Sequence, residues 1–168
     1  MTTEEDGSEL VRKATDACLR LLAVRARSRH ELKLAMGRKG LSAPVQEQVL
    51  EKLQGLGYLD DARFARDRAA ALLRRGKFGP AQVLQRLKAH GLEGRVAREA
   101  LSTASGEVEF DAQATARQVL ERRGLLGRPL APKEHARAAR LLHSRGFSED
   151  VIERLLGEAA LDPSGRDD

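Results

Sequence analysis

Apolar residues recur along this chain three and four positions apart, with polar residues filling the gaps. That spacing is helical. Leu10, Ala14, Ala17, Cys18, Leu21 and Leu22 form one stripe and predict a helix over about 8–24. Ser28, with Glu31 three residues later, reads as a capping box opening a second helix that ends near Gly40. Pro44 suits the first turn of a third helix over 44–55, with Val45, Val49, Leu50 and Leu53 facing inward. Gly55 and Gly57 break it, and a new segment starts at Tyr58. Asp60 or Asp61 can cap a helix running through Phe64 to Arg75. Pro80 opens the next, which carries Val83, Leu84 and Leu87 to Gly91. A short helix over 94–102 follows, punctuated by Thr103, Ser105 and Gly106. Phe110 to Arg123 reads as helix and 124–131 as loop; Pro132 opens a helix ending at Gly146, and Ser148 caps a last one over about 149–160. Period-two alternation with β-branched residues is nearly absent, so the expected class is all-α.

Within this pattern one phrase is written three times. Gly40, Gly91 and Gly146 each close a helical run, about fifty residues apart, and each is followed by Leu41, Leu92 or Phe147. Four residues before each glycine stands Met36, Leu87 or Leu142; five after it stands Val45, Val96 or Val151. Pairs follow at nine and ten: Val49/Leu50, Ala100/Leu101, Leu155/Leu156. By themselves the glycines are left-handed C-caps. Their repetition predicts three helix triplets, each unable to bury its apolar face alone and so stacked on its neighbour. The expected units are 8–57, 58–105 and 106–161, with disordered tails at 1–7 and 162–168. A surface built this way suits a macromolecular partner better than a small substrate.

Composition sharpens this reading. The 168 residues are 41% hydrophobic and 33% charged, the balance of a folded protein with a wet surface. The net charge of +5 permits nucleic-acid contact without requiring it. Its distribution says more: residues 63–77 hold Arg63, Arg66, Arg68, Arg74, Arg75 and Lys77 against Asp67 alone. That run reads either as a solvated helix face or as a surface for phosphate or an acidic protein groove. Aromatics are only 3%, too few for single-strand stacking platforms. Cys18 is the sole cysteine, on an apolar face, and reads as a buried small hydrophobe. The N-terminus is expected to be neither signal peptide nor anchor, and no run of 18 apolar residues occurs, so the expected address is the cytoplasm.

Candidate chemistry is sparse. His30, His90, His135 and His143 are not spaced as metal ligands, and His90, beside a cap glycine, reads as support for a helix terminus. Asp60 and Asp61 are adjacent and would not face one point on a helix, so capping is the expected role rather than a shared metal. Arg75-Gly76-Lys77-Phe78-Gly79 lacks the preceding strand of a phosphate-binding loop. The tight turns allow a helix-turn-helix reading, yet the third helices offer Gln46, Glu47 and Gln48, or Glu149 and Asp150, and carboxylates there repel phosphates. Neither an enzyme nor a cofactor is expected.

Four segments resemble the RecX family, bacterial modulators of the RecA recombinase. They are Arg25-Ala26-Arg27-Ser28-Arg29-His30-Glu31-Leu32 with Lys39-Gly40; Gly57-Tyr58-Leu59-Asp60-Asp61-Ala62-Arg63-Phe64-Ala65; Gly76 through Leu84 and Leu87 to Gly91-Leu92; and Arg140-Leu141-Leu142-His143-Ser144-Arg145-Gly146-Phe147. The resemblance spans about residues 14–156. It implies three tandem three-helix repeats in an elongated curved body. It implies a monomeric regulator in DNA repair, recombination and the SOS response, which binds the RecA–single-stranded-DNA filament and opposes its ATP hydrolysis, extension and strand exchange. DNA, single- or double-stranded, is a further partner left open, and a non-specific DNA-binding helical protein is the alternative reading. The expected partner surface is Arg25, Arg27, Arg63, Arg66, Arg74, Arg75 and Lys77. The expected structural positions are Ser28, Glu31, Gly40, Tyr58, Asp60, Asp61, Phe64, Gly91, Gly146 and Phe147.

Overall fold

The computed structural model describes residues 3–160, and side chains from 5 to 157. The described residues form nine α-helices and no strand. They are α1 (Thr3–Val24), α2 (Arg29–Arg38), α3 (Ala43–Gly55), α4 (Asp61–Arg74), α5 (Pro80–Ala89), α6 (Gly94–Glu107), α7 (Ala112–Glu121), α8 (Pro132–Ser144) and α9 (Glu149–Ala160). The all-α class is thus what the helical spacing required. No described helix is long and apolar enough to cross a membrane.

The chain divides into two compact units. One comprises the chain up to Ala65 together with Leu87–Ala97; the other comprises Arg66–Arg86 together with the chain from Arg98 onward. In the first, α1 and α2 both pack on α3. Ala14, Cys18, Leu32, Met36, Val49, Leu50, Leu53 and Leu59 make its core. In the second, α7, α8 and α9 pack on one another around Leu120, Ala138, Leu142, Phe147, Ile152, Leu155 and Leu156. These are the periodic positions of the sequence, and their burial supplies most of what holds short helices folded.

The three repeated glycines adopt one conformation, with φ of 76° at Gly40, 74° at Gly91 and 87° at Gly146. A side chain at such angles crowds its own backbone, so glycine is the residue that turns the chain here without strain. The residues four before them, Met36, Leu87 and Leu142, are 2%, 0% and 0% exposed. After the first and third glycines the chain closes identically: the Leu41 amide donates to Met36 O at 3.3 Å and the Phe147 amide to Leu142 O at 3.1 Å.

Three expectations are corrected. The first helix starts at Thr3, not near Ser8, so residues 3–7 are helical rather than a disordered tail. Glu5 and Asp6 lie in its opening turns, where carboxylates favour the helix dipole. Helix α6 runs on to Glu107 through Ser105 and Gly106, so the unit boundary expected at 105/106 falls inside a helix. The Ser105 hydroxyl donates back to Leu101 O at 2.7 Å, which satisfies it within the helix, and Ala100 and Ala104 are buried. The break comes at Glu109, with φ of 51°. Helix α7 correspondingly begins at Ala112 rather than Phe110, because Asp111 caps it by accepting from the Ala114 amide at 2.9 Å. The tail expected at 162–168 lies outside the described residues, as do residues 1–2.

Candidate functional site

Ser28 is the most heavily used side chain at the start of α2. Its hydroxyl accepts from the Glu31 amide at 3.2 Å, and the Glu31 carboxylate accepts from the Ser28 amide at 2.9 Å. This is the capping box the sequence predicted. Ser28 is also fully buried, and its hydroxyl proton goes to His90 O at 2.6 Å, across 62 residues of sequence. Here the glycine turn after α5 sits on the start of α2. A methyl on Gly91 would lie 2.1 Å from His30 Cγ. The His90 ring meets Phe64 edge-on at 5.2 Å, and its Nδ1 lies 3.4 Å from Glu31 Oε1. His90 therefore ties two helix termini together. Burial alone would raise the Glu31 carboxyl; Arg25, the Ser28 amide and His90 together hold it below the ordinary glutamate value.

Asp60 and Asp61 each serve a different helix. Asp60 accepts from the Arg63 amide at 3.0 Å and so caps α4, as its position predicted. Asp61 accepts from the Arg29 amide at 2.8 Å, supplying a partner for an N-terminal donor of α2. No sequence rule links residues 32 apart, so this second role was not readable. Tyr58 is more than half exposed. Its contribution to the turn is its backbone: the Tyr58 amide donates to Leu53 O at 2.9 Å after Gly57, whose φ is 79°.

The second unit repeats the junction in another chemistry. The Gly79 amide donates to Arg145 O at 2.7 Å, and the Ala81 amide donates to Gly146 O at 3.1 Å. A methyl on Gly79 would lie 2.4 Å from Gly146 O, and one on Gly146 would lie 2.2 Å from the Gln82 amide nitrogen. Ser28 and Gly79 stand the same twelve residues before Gly40 and Gly91. Each receives the glycine turn of the following copy, which is the stacking contact the repetition predicted.

An arginine device also recurs. Arg25 forks onto Glu31 at 2.9 and 3.3 Å and reaches Ala26 O at 2.9 Å. Arg128 forks onto Glu134 at 2.6 and 3.0 Å and reaches Pro129 O at 3.2 Å. In both, the glutamate accepts from the amide of the cap residue, Ser28 or Ala131. Arg128 and the Ala131 amide hold the Glu134 carboxyl down to about 2. The sequence offered this as Arg-x-x-cap-x-x-Glu in two copies, masked by Pro129 and Ala131.

The predicted partner residues fall into three groups. Arg25 is committed to Glu31, and the half-buried Arg27 donates from Nε to Leu21 O at 3.4 Å. Both lie in the first unit, at the α1–α2 connection; the exposed Arg63, near the start of α4, belongs to the same unit. Arg66, Arg74, Arg75 and Lys77 are exposed and belong to the second unit. Of these, Arg66 lies 4.0 Å from Glu107, a loose surface pair. Arg75 and Lys77 line a common cavity, joined there by Arg86 and Arg145. Those two arginines were missed because they come from α5 and from the residue closing α8.

Residues that a DNA-reading helix would need are otherwise engaged. Gln46 is buried and donates to Leu41 O at 2.7 Å, and Glu47 pairs with Arg29 and Lys33. Cys18 is buried, and that burial pushes its thiol pKa up, which leaves it unreactive.

Comparison with known proteins follows the same division into triplets. A family model described as RecX, first three-helix domain, matches residues 14–53, and one described as RecX, second three-helix domain, matches 60–101. The regulatory protein RecX of Halorhodospira halophila is 39% identical over 145 residues, covering 86% of this chain and 85% of that protein. That of Stenotrophomonas maltophilia is 35% identical over 136 residues, covering 81% and 80%. In structure, the chain is similar to the crystal structure of RecX from Lactobacillus salivarius, with a TM-score of 0.74 at 19% identity, covering 92% of this chain and 99% of that one. That last likeness is one of fold.

Proposed function

The chain belongs to the RecX family of regulatory proteins, and from that membership we propose that it regulates recombination and DNA repair in the cytoplasm. It binds the RecA–single-stranded-DNA filament as a monomer and inhibits ATP hydrolysis, filament extension and strand exchange. It has no catalysis of its own. The observation carrying this reading is the 39% identity to a regulatory protein RecX over 86% of the chain.

The physical features agree with such a role. Three helix triplets, with breaks in the 56–60 and 108–111 turns, offer several contact sites on one chain. Contact with more than one filament subunit raises avidity without any single strong bond. The partner contacts are assigned to Arg63 in the first unit and, separately, to Arg66, Arg74, Arg75 and Lys77 in the second; exposed cations of this kind steer a protein toward a polyanionic filament. Arg25 and Arg27 contribute less to this surface, since Arg25 bonds the α2 capping residue Glu31 and Arg27 donates to Leu21 O in the last turn of α1.

The test is an ATPase assay with recombinase on single-stranded DNA. Wild-type protein is expected to inhibit, and an Arg63/Arg66/Arg74/Arg75→Glu variant of unchanged helicity is expected to lose inhibition. Undiminished inhibition by the folded variant removes these cations from the partner surface. Absence of inhibition by wild type overturns the proposed function itself.

A further inference from the structure

In the second unit the turn between α4 and α5, the first turns of α5 and the end of α8 line an open cavity of about 660 Å³. Its lining includes Arg75, Lys77, Phe78, Gln82, Arg86 and Arg145, and no Asp or Glu. None of the four cations has a side-chain ion pair or hydrogen bond among the described residues. Four like charges around one space repel one another, an arrangement that an anion relieves.

Two of them are held in place. The Arg86 guanidinium carbon lies 4.2 Å from the Phe78 ring centroid, and that of Arg145 lies 5.9 Å from the same ring. Phe78 is itself buried. A buried ring facing two guanidinium groups fixes their position by cation–π attraction. Arg86 Nε is buried with no hydrogen-bond partner, so this side chain is placed by the ring and not by an acceptor. The backbone beneath is equally fixed, since the Gly79 and Ala81 amides are tied to Arg145 O and Gly146 O. Those amides are therefore spent, and any anion here is met by side chains.

We propose that this cavity is a phosphate-binding site, with Arg75, Lys77, Arg86 and Arg145 as its cationic ligands and Phe78 as the platform that orients them. Arginine forks match the several oxygens of a phosphate group, and closely spaced phosphates supply the charge density that four cations need. The Gln82 side chain adds a neutral donor. The ring face is already covered by Arg86, so bases do not stack there and recognition is independent of sequence. The same chemistry is offered by the backbone of a nucleic-acid strand and by the triphosphate of a free nucleotide. The site is made of this chain's own residues and does not depend on a recombinase being the partner.

The experiment is fluorescence anisotropy of a labelled oligothymidylate with the purified full chain alone, across a salt series. Arg75→Gln/Lys77→Gln alters only exposed side chains, and circular dichroism checks its fold. Loss of two phosphate contacts is expected to weaken binding about tenfold at low salt and to lower the log–log salt slope by about 1.4. The charge-matched Arg38→Gln/Lys39→Gln, in the first unit, is expected to change binding far less. Displacement by tripolyphosphate or ATP assigns the site to free nucleotide as well as strand; displacement by unlabelled oligonucleotide alone assigns it to the strand. Equal loss in both double variants, no binding by wild type, or displacement by a polyglutamate peptide as effective as by tripolyphosphate overturns the proposal.

Discussion

Ser28 shows how much one hydroxyl can hold. It caps α2 through the Glu31 amide and anchors His90 O, while itself fully buried. Ser28→Ala leaves two part-buried backbone groups, the Glu31 amide and His90 O, without their partner, at a cost of about 1–3 kcal/mol; urea denaturation is the check. The capping half of this was legible in Ser28 and Glu31, whereas the bond to His90 was not, because nothing in a sequence reports contact across 62 residues. Glu134 gives a pH-dependent counterpart. Its pKa in the fold is about 2 against an ordinary 4.5. A lowered carboxylate contributes stability above its unfolded value and loses it as pH falls through the folded one. Thermal melts are therefore expected to show a Glu134-dependent loss between about pH 4.5 and 2 that Glu134→Gln abolishes. An identical acid limb in wild type and variant contradicts this assignment.

Among the elements, the repeated glycine turns separate conformation from contact. All three glycines have positive φ, but a methyl on Gly40 meets nothing within 4 Å, whereas one on Gly91 or Gly146 strikes a neighbouring helix start. Gly40→Ala is expected to cost about 1–2 kcal/mol, the left-handed penalty alone. Gly91→Ala and Gly146→Ala are expected to cost about 3 kcal/mol or more, since backbone must also move. Equal costs at all three would contradict the stacking contact. The turns, their buried partners and most helix starts were readable because glycine, proline and short polar residues act locally. Helix α6 was misread for the opposite reason: Ser105 and Gly106 looked like punctuation, but tertiary burial of Ala100 and Ala104 and a back-bonded hydroxyl carry the helix through them. Leu142, legible from its repeat position, is fully buried; Leu142→Ala is expected to cost about 2–5 kcal/mol by chemical denaturation.

At the scale of the whole molecule, the sequence showed where positive charge is dense along the chain but not where it converges. The run 63–77 was visible, yet α4 gives Arg63 to one unit and Arg66 and Arg74 to the other. The cavity needs Arg86 and Arg145, one from mid-α5 and one just past the end of α8. Such convergence depends on the glycine junctions that bring Gly79 against Gly146. The proposed regulatory activity draws on the same architecture, since a partner surface made of exposed cations depends on helix starts and turns being held fixed. The most direct measurement of that activity is retention of the protein on single-stranded DNA, with and without assembled recombinase, as salt is raised. Binding that persists near 0.15 M salt only with the recombinase, while naked-strand binding falls away steeply, is the predicted result. Equal retention on naked and recombinase-coated DNA at every salt concentration would contradict it and leave a non-specific DNA-binding protein.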